Sequence, residues 1–194
     1  MQRKVYEPKD DPIWAKPYID KEEEMAEKGC LYVHGRFEGT ELRFSFFFPK
    51  KKEYKGRFFH YLPPVQGSED AAIGRTGMED RILFAVSHGA YYVETNMACK
   101  PFAPIPDPKI IYQSSAAAAE YSRNVAKRLY GEHRPFGYLY GGSGGSYKTI
   151  SCIENTDTWD GAAPYVNGTP YSIPHTFTLR THAKRVLRRV MPLI

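Results

Sequence analysis

The segment with the clearest capacity for chemistry is a glycine-rich stretch at residues 138–147, with the sequence Tyr-Leu-Tyr-Gly-Gly-Ser-Gly-Gly-Ser-Tyr. Its centre has the pattern Gly-x-Ser-x-Gly, formed by Gly141, Ser143 and Gly145. In this pattern a strand turns sharply into a helix, and the turn exposes the serine Oγ as a nucleophile for acyl transfer. Glycine on both sides keeps neighbouring side chains away from the strained turn. The pattern therefore predicts that Ser143 is a catalytic nucleophile.

The residue after this serine completes the first half of an oxyanion site. A helix that begins at Gly144 has unpaired backbone N–H groups and the positive end of its dipole beside Ser143. The N–H of Gly144 is therefore predicted to stabilise the negative oxygen of a tetrahedral intermediate.

Two other interpretations of the glycine-rich stretch remain open, because a five-residue pattern also arises by chance. The stretch also fits a flexible linker or a phosphate-binding turn. An apolar strand directly before it and a helix-forming run directly after it favour the nucleophile. Lys148 and Thr149 have the spacing of the lysine pair of a phosphate-binding loop that starts at Gly142, but Tyr147 stands where that loop has its second glycine.

The elements that would position Ser143 alternate between short apolar strands and helices. Such alternation predicts an α/β fold, with a mainly parallel sheet flanked by helices. The predicted strands are 30–37, 41–48, 57–62, 91–95, 136–140 and 161–166, and the predicted helices are 78–89, 114–130 and 144–154. Residues 1–29 are expected to be a polar arm with a short helix at 20–28. Residues 30–170 would form the core, and residues 171–194 would begin a helical cap segment.

From about Phe44 to Pro170 the chain resembles the tannase and feruloyl esterase family of α/β-hydrolases. The resemblance depends most on residues 141–145 and on Trp-Asp-Gly-Ala-Ala-Pro at 159–164. Weaker support comes from residues 55–59, 89–95 and 126–131. The resemblance implies a serine hydrolase that acts on small-molecule carboxylic esters through an acyl-enzyme on Ser143, without a cofactor or a metal.

Departures from that family are informative. Gly142 stands where the family has a cysteine, so the neighbouring disulfide cannot form. Residues 63–68 replace its glycine-rich oxyanion loop, so the second oxyanion N–H is expected from Gln66, Gly67 or Ser68. The family's triad acid and histidine come later in sequence. We therefore expect a sheet that is truncated before its last strands, and a chain that by itself turns over little or no ester.

Histidines are the next candidates for chemistry. His60 is predicted to line the substrate site. His175 and His182 follow Ser143, as the base does in this fold, but each is more simply a surface or cap histidine. His88 is expected to be a cation at a helix C-terminus.

Three acidic residues have structural interpretations beside functional ones. The resemblance implies that Asp160 binds backbone near the end of the sheet and is not the triad acid. Glu69 and Asp70 are expected to be solvated loop charges, with orientation of the oxyanion loop or substrate binding as alternatives.

The composition of the chain limits its possible binding partners and its location. The chain has 194 residues, a formal charge of +5 and three cysteines. Its basic runs at 50–52 and 184–189 lack the extended stripe of a nucleic-acid surface. The widely spaced cysteines suit neither a metal site nor a disulfide framework. A polar start and no long apolar run predict a cytoplasmic protein without a membrane partner, or a secreted one if the true start lies upstream. The oligomeric state is not predicted.

Two rival functions stay open at this stage. The chain could be a degenerate hydrolase fold that serves as a binding or interaction module. It could also be another serine acyl-transfer enzyme, such as a peptidase, because the Ser143 motif does not distinguish these activities.

Overall fold

The computed structural model describes residues 5–100, 107–167 and 181–188. Its strands are β1 (Pro17–Met25), β2 (Cys30–Phe37), β3 (Arg43–Pro49), β4 (Arg57–Tyr61), β5 (Ala90–Thr95), β6 (Phe136–Gly142) and β7 (Gly161–Tyr165). Its α-helices are α1 (Arg81–Ser87), α2 (Lys109–Tyr130), α3 (Gly144–Asn155) and α4 (181–188). Short 3-10 helices cover Pro8–Asp10, Pro12–Trp14 and Gly77–Glu79.

All seven of these strands form one sheet in the order β1-β2-β3-β5-β4-β6-β7. Strands β4, β5, β6 and β7 run parallel, whereas β1, β2 and β3 form an antiparallel meander that joins the sheet at β5. The carboxyl ends of the four parallel strands therefore share one edge of the sheet. In open α/β sheets this is the edge where sites form.

Helices cover both faces of the sheet, because side chains of a strand alternate between its faces. On one face, Phe44, Phe46 and Phe58 pack with the buried alanines of α2. On the other face, Phe47 and Tyr92 pack with α1. The central strands are buried on both sides, as expected of a sheet between two helical layers.

The helix predicted at residues 20–28 is wrong, because most of this segment belongs to edge strand β1. Lys21–Glu24 pair with β2 and leave their charges exposed. Helix-forming propensity is overridden here by hydrogen bonding to a neighbouring strand. Charged side chains suit an edge strand, since they discourage pairing with another molecule. Residues 17–25 are thus part of the sheet and do not form an arm lying over it.

The other predicted strands and helices are present, with shifted ends. Helix α2 begins at Lys109, earlier than predicted, and the carboxylate of Asp107 accepts the Lys109 N–H at 2.9 Å. Ser114 and Ser115, at which the predicted helix begins, are buried inside this helix. All three cysteines are buried and free.

Candidate active site

Ser143 lies at the junction between β6 and α3, in the backbone conformation φ 55°, ψ −120°. A positive φ is uncommon for a residue with a side chain and costs free energy. Ser143 is exposed, although Gly142 before it and Gly145 after it are buried. The serine therefore stands at the carboxyl edge of the parallel strands, in the position and strained conformation that the sequence predicts. We call residues 141–145 the serine turn.

Hydrogen bonds from two neighbours hold the serine turn. The Ser143 N–H donates to the carbonyl oxygen of Tyr165, at the end of β7, over 3.1 Å. The carbonyl of Ser143 accepts the N–H of Ser146 at 2.9 Å and its hydroxyl at 2.7 Å. Both peptide groups of Ser143 are thus satisfied, and its side chain is left at the surface.

Close packing explains why the turn is made of glycine. A Cβ atom at Gly145 would lie 2.1 Å from the carbonyl oxygen of Leu62. A Cβ atom at Gly144 would lie 2.4 Å from the carbonyl oxygen of Pro64. Contacts this short would force the backbone apart. The loop that follows β4 therefore touches the serine turn, and we call residues 62–72 the facing loop.

A buried lysine on α3 contacts the facing loop close to the serine turn. The Nζ atom of Lys148 donates to the carbonyl of Pro63 at 2.7 Å and approaches that of Pro64 at 3.4 Å. Burial lowers the pKa of Lys148 to about 8. Cys99 acts on the pKa of Lys148 in the opposite direction, but the effect of burial is larger.

The other end of the facing loop is held by the sheet. Asp70 accepts hydrogen bonds from the hydroxyls of Tyr32, at 2.9 Å, and Ser45, at 2.6 Å. The N–H of Ala72 donates to Glu94 at 2.9 Å. Burial raises the pKa of the Glu94 carboxyl to about 8. This end of the loop is thus fixed to β2, β3 and β5.

Glu69 adds an ion pair to that attachment. It is buried, and its carboxylate lies 3.3 Å from Nε2 of His34, whose Nδ1 contacts Asp20. The hydrogen bond to Glu69, and then that to Asp20, raises the pKa of His34. The prediction that Glu69 and Asp70 are solvated charges is wrong, because both anchor the facing loop. His34, Glu69 and Asp70 place ligand atoms within 4.8 Å of one another and could hold a metal ion, but hydrogen bonds account for their arrangement.

His60 does not line an accessible site, contrary to prediction. It lies on β4 with no exposed surface, 5.7 Å from the ring of Trp159. Both ring nitrogens are buried without a hydrogen-bond partner in the described residues. Burial lowers the pKa of His60 to about 3, so the ring is neutral. The side chain of His60 therefore lies in the core and does not reach the carboxyl edge of the sheet.

Asp160 is structural, as the sequence predicts. Its carboxylate accepts the N–H of Gly137 at 2.8 Å and an N–H of Arg134 at 2.7 Å. It precedes β7, whereas Ser143 bonds to the last residue of that strand. Five residues of extended strand separate these points by ~17 Å, so Asp160 is at the opposite edge of the sheet from Ser143.

Other histidines have separate locations. His88 is the C-terminal cap of α1, and its Nδ1 lies 2.7 Å from the carbonyl of Phe84. His34 is on β2, four strands from β6, which is ~19 Å at the usual strand spacing. His182 lies in α4 and is exposed, and His175 lies outside the described residues.

Of the predicted oxyanion donors, only Gly144 has a described position directly beside Ser143. Gly144 is the first residue of α3, beside Ser143. The facing loop reaches the serine turn through Leu62, Pro63 and Pro64. Gln66, Gly67 and Ser68 follow in the same loop and stay predicted donors.

Lys148 and Tyr165 lie near the serine turn, although the sequence motifs did not indicate them. Lys148 had one usable signal, because it lies on the helix that starts at the serine turn. No sequence signal indicated Tyr165. Its contact with Ser143 depends on the strand register, in which Tyr165 of β7 pairs with Gly142 of β6.

Two of the hollows on the described surface are not lined by Ser143. One, of about 750 Å³, lies between the N-terminal segment and α2 and includes Tyr6, Trp14 and Tyr121. The other, of about 670 Å³, is an apolar face formed by Phe59, Phe84, Tyr138, Tyr140, Ala163 and Tyr165 together with neighbouring residues.

Comparison with solved structures identifies the architecture. The chain is similar to an acetyl xylan esterase from Paenibacillus sp. R4, with a TM-score of 0.56 and 15% identity over 95% of this chain and 65% of that one. It is similar to Candida antarctica lipase A in its closed state, with a TM-score of 0.56 and 14% identity over 90% of this chain and 49% of that one. The chain has the α/β-hydrolase fold.

The predicted resemblance to α/β-hydrolase esterases is thus confirmed at the level of fold. A tannin acyl hydrolase from Aspergillus niger is also similar, with a TM-score of 0.49 and 13% identity over 76% of this chain and 31% of that one. The chain spans less than two thirds of the length of each of these three structures. No family model and no curated protein sequence matches the chain. The described helices include none that is long and apolar enough to cross a membrane.

Proposed function

We propose that this protein is a serine hydrolase that cleaves small-molecule carboxylic esters through an acyl-enzyme on Ser143. The observation that carries the proposal is the exposed serine at φ 55° between a parallel strand and a helix. Strained backbone persists where surrounding structure enforces it, and such positions cluster at active sites. The esterases and lipase that share the fold support the choice of ester chemistry.

In the proposed reaction the Oγ of Ser143 attacks the ester carbonyl carbon while a base takes its proton. The carbonyl oxygen becomes an oxyanion, held by the N–H of Gly144 and a second N–H from Gln66 or Gly67. The C–O bond to the alcohol then breaks, the alcohol leaves with a proton, and the acyl group stays on Ser143. Water hydrolyses this acyl-enzyme and restores the serine.

The general base of the proposal is a histidine that follows Ser143 in sequence, as in the order of the triad in this fold. Within the described residues, His34 is several strands away and His60 is buried, so neither reaches Ser143. His175 is therefore the first candidate of this chain, and His182 is the second. A triad that lacks its base loses ~10⁴ to 10⁶ in rate, so we expect slow turnover wherever the base is missing.

A serine-directed fluorophosphonate tests the proposal. We expect one adduct per native chain, mapped by peptide mass spectrometry to Ser143 and absent from Ser143→Ala. Ser87→Ala is the matched control, because Ser87 is also an exposed serine but lies at the end of α1 and makes no contact with the serine turn in the hydrogen bonds of the described residues. An adduct on another residue, or none at Ser143, would overturn the proposal.

The second candidate function is a binding module with a degenerate site. It is favoured by the positions of His34 and His60, which do not reach Ser143. If the native chain gives no adduct at Ser143, this alternative gains. A serine peptidase would give the same adduct, and a matched pair of ester and amide substrates separates it from an esterase.

A further inference from the structure

Lys148 is a buried cation for which the described residues provide no carboxylate partner. Its side chain lies in α3, only five residues after Ser143, and the residue is 8% exposed. A buried charge costs free energy unless hydrogen bonds compensate it. The carbonyl oxygens of Pro63 and Pro64 provide that compensation. Lys148 in turn holds those two carbonyls toward α3.

Lys148 donates side-chain hydrogen bonds to the facing loop at the point where two prolines interrupt its backbone hydrogen bonds. The N–H of Leu62 makes a sheet-like bond to Tyr140 at 2.9 Å. Neither Pro63 nor Pro64 has an N–H, so neither can continue the hydrogen-bond ladder. Their carbonyls instead turn toward α3. The facing loop thus leaves the sheet beside the serine turn, and Lys148 fixes its direction there.

That direction matters for the amides that follow. In a trans peptide the C=O and N–H point in opposite directions, and the described residues contain no cis peptide. Holding the Pro64 carbonyl toward α3 therefore sets the direction of the Val65 N–H. It also sets the path into Gln66 and Gly67, the predicted oxyanion donors.

We propose that Lys148 is a positioning residue, which ties the loop carrying the second oxyanion donor to the helix that carries the first. This inference rests on the proposed function, because it assigns Lys148 a role in the reactivity of Ser143. The ammonium contacts no reacting atom. It acts by holding two carbonyls of one loop against one helix.

The positioning role of Lys148 should depend on pH, because it depends on the charge of the ammonium. Cys99 is the titratable neighbour that acts on the pKa of Lys148, and burial raises the pKa of that thiol, so it stays neutral near pH 7. Hydrogen bonds from an ammonium are about twice as strong as those from a neutral amine. Since burial lowers the pKa of Lys148 to about 8, the restraint weakens above that pH.

The test measures the rate of fluorophosphonate labelling at Ser143 against pH in four proteins. Wild type should lose rate above about pH 8. Lys148→Met should be about ten- to a hundredfold slower at pH 7, the cost of a small misplacement of a catalytic group, without that loss at higher pH. Lys148→Arg should recover part of the rate and keep it above pH 8. Lys28→Met is the control, since Lys28 is also largely buried and donates to a backbone carbonyl, that of Arg75.

Wild-type rates in folded Lys148→Met, or a wild-type pH profile in Lys148→Arg, would overturn the inference. If Lys148→Met does not fold, by circular dichroism, the Lys148→Arg profile decides. If wild type itself is not labelled, the proposed function fails. Amide exchange at residues 65–67 then decides whether Lys148 still orders the loop. At least tenfold faster exchange there in Lys148→Met or, if that variant does not fold, in Lys148→Gln, and not in Lys28→Met, would support ordering, and equal exchange would refute it.

Discussion

The serine turn and the facing loop touch each other, but they are held in different ways. The turn is fixed by glycines and hydrogen bonds within a few residues of Ser143, with one strand neighbour, Tyr165. The facing loop is fixed by side chains from β2, β3, β5 and α3, distant in sequence. Local constraints therefore place the nucleophile, whereas tertiary contacts place the loop that would complete its site.

The largest expected effect comes from adding a methyl group to the serine turn. The same addition to the facing loop is the comparison. Gly145→Ala places a Cβ 2.1 Å from the Leu62 carbonyl, and we expect it to lower the free energy of unfolding by about 3 kcal/mol. Gly67→Ala meets open space and should change it by less than about 1 kcal/mol. Urea denaturation of both variants measures the contrast. Equal losses would mean that the turn is not the tighter region.

A smaller effect should follow from cutting the sheet-side attachment of the facing loop. Asp70→Ala removes the acceptor of the Tyr32 and Ser45 hydroxyls. A hydrogen bond to a charged group contributes about 1.5–3 kcal/mol, so we expect a loss of about 2 kcal/mol in unfolding free energy. Amide exchange should rise at residues 65–72 and stay unchanged at residues 144–149. Faster exchange in α3 as well would show that the two regions are one unit.

Glu94 gives a pH-dependent version of the same test. Because burial raises its pKa to about 8, the folded chain keeps a proton that the unfolded chain loses above about pH 4.5. Wild-type stability should therefore fall as the pH rises from about 4.5 to 8. Glu94→Gln retains an oxygen acceptor for the Ala72 N–H and should lack that part of the fall. Denaturant midpoints of the two proteins that run parallel across this range would contradict the assignment.

His60 should produce a pH effect of similar size and opposite direction, outside both regions. Burial lowers its pKa to about 3, so the unfolded chain binds a proton below about pH 6.5 that the folded chain does not. Wild-type stability should fall as the pH drops from about 6.5 to 3. His60→Leu should remove this contribution and leave phosphonate labelling at Ser143 unchanged. Reduced labelling in the folded variant would return His60 to the site.

The contrast between the two regions also explains what the sequence could predict. The Ser143 motif and the strand–helix alternation depend on near neighbours, so their residue patterns predicted them. Asp160 was interpreted correctly through a family resemblance. The charged run at 21–24 misled, because edge pairing with β2 overrides local propensity. Lys148, Glu69 and Asp70 act across the fold, and their partners follow from topology that local spacing does not reveal.

The most direct test of the central claim is to trap the acyl group itself. The native chain is mixed with an activated aryl acetate, quenched in acid and analysed by intact mass and peptide mapping. We predict an acetyl group on Ser143 that forms as the aryl alcohol is released, disappears on longer incubation, and is absent from Ser143→Ala. Equal acetylation in Ser143→Ala, or release of aryl alcohol with Ser143 unmodified at every time point, would contradict a nucleophilic role for this serine.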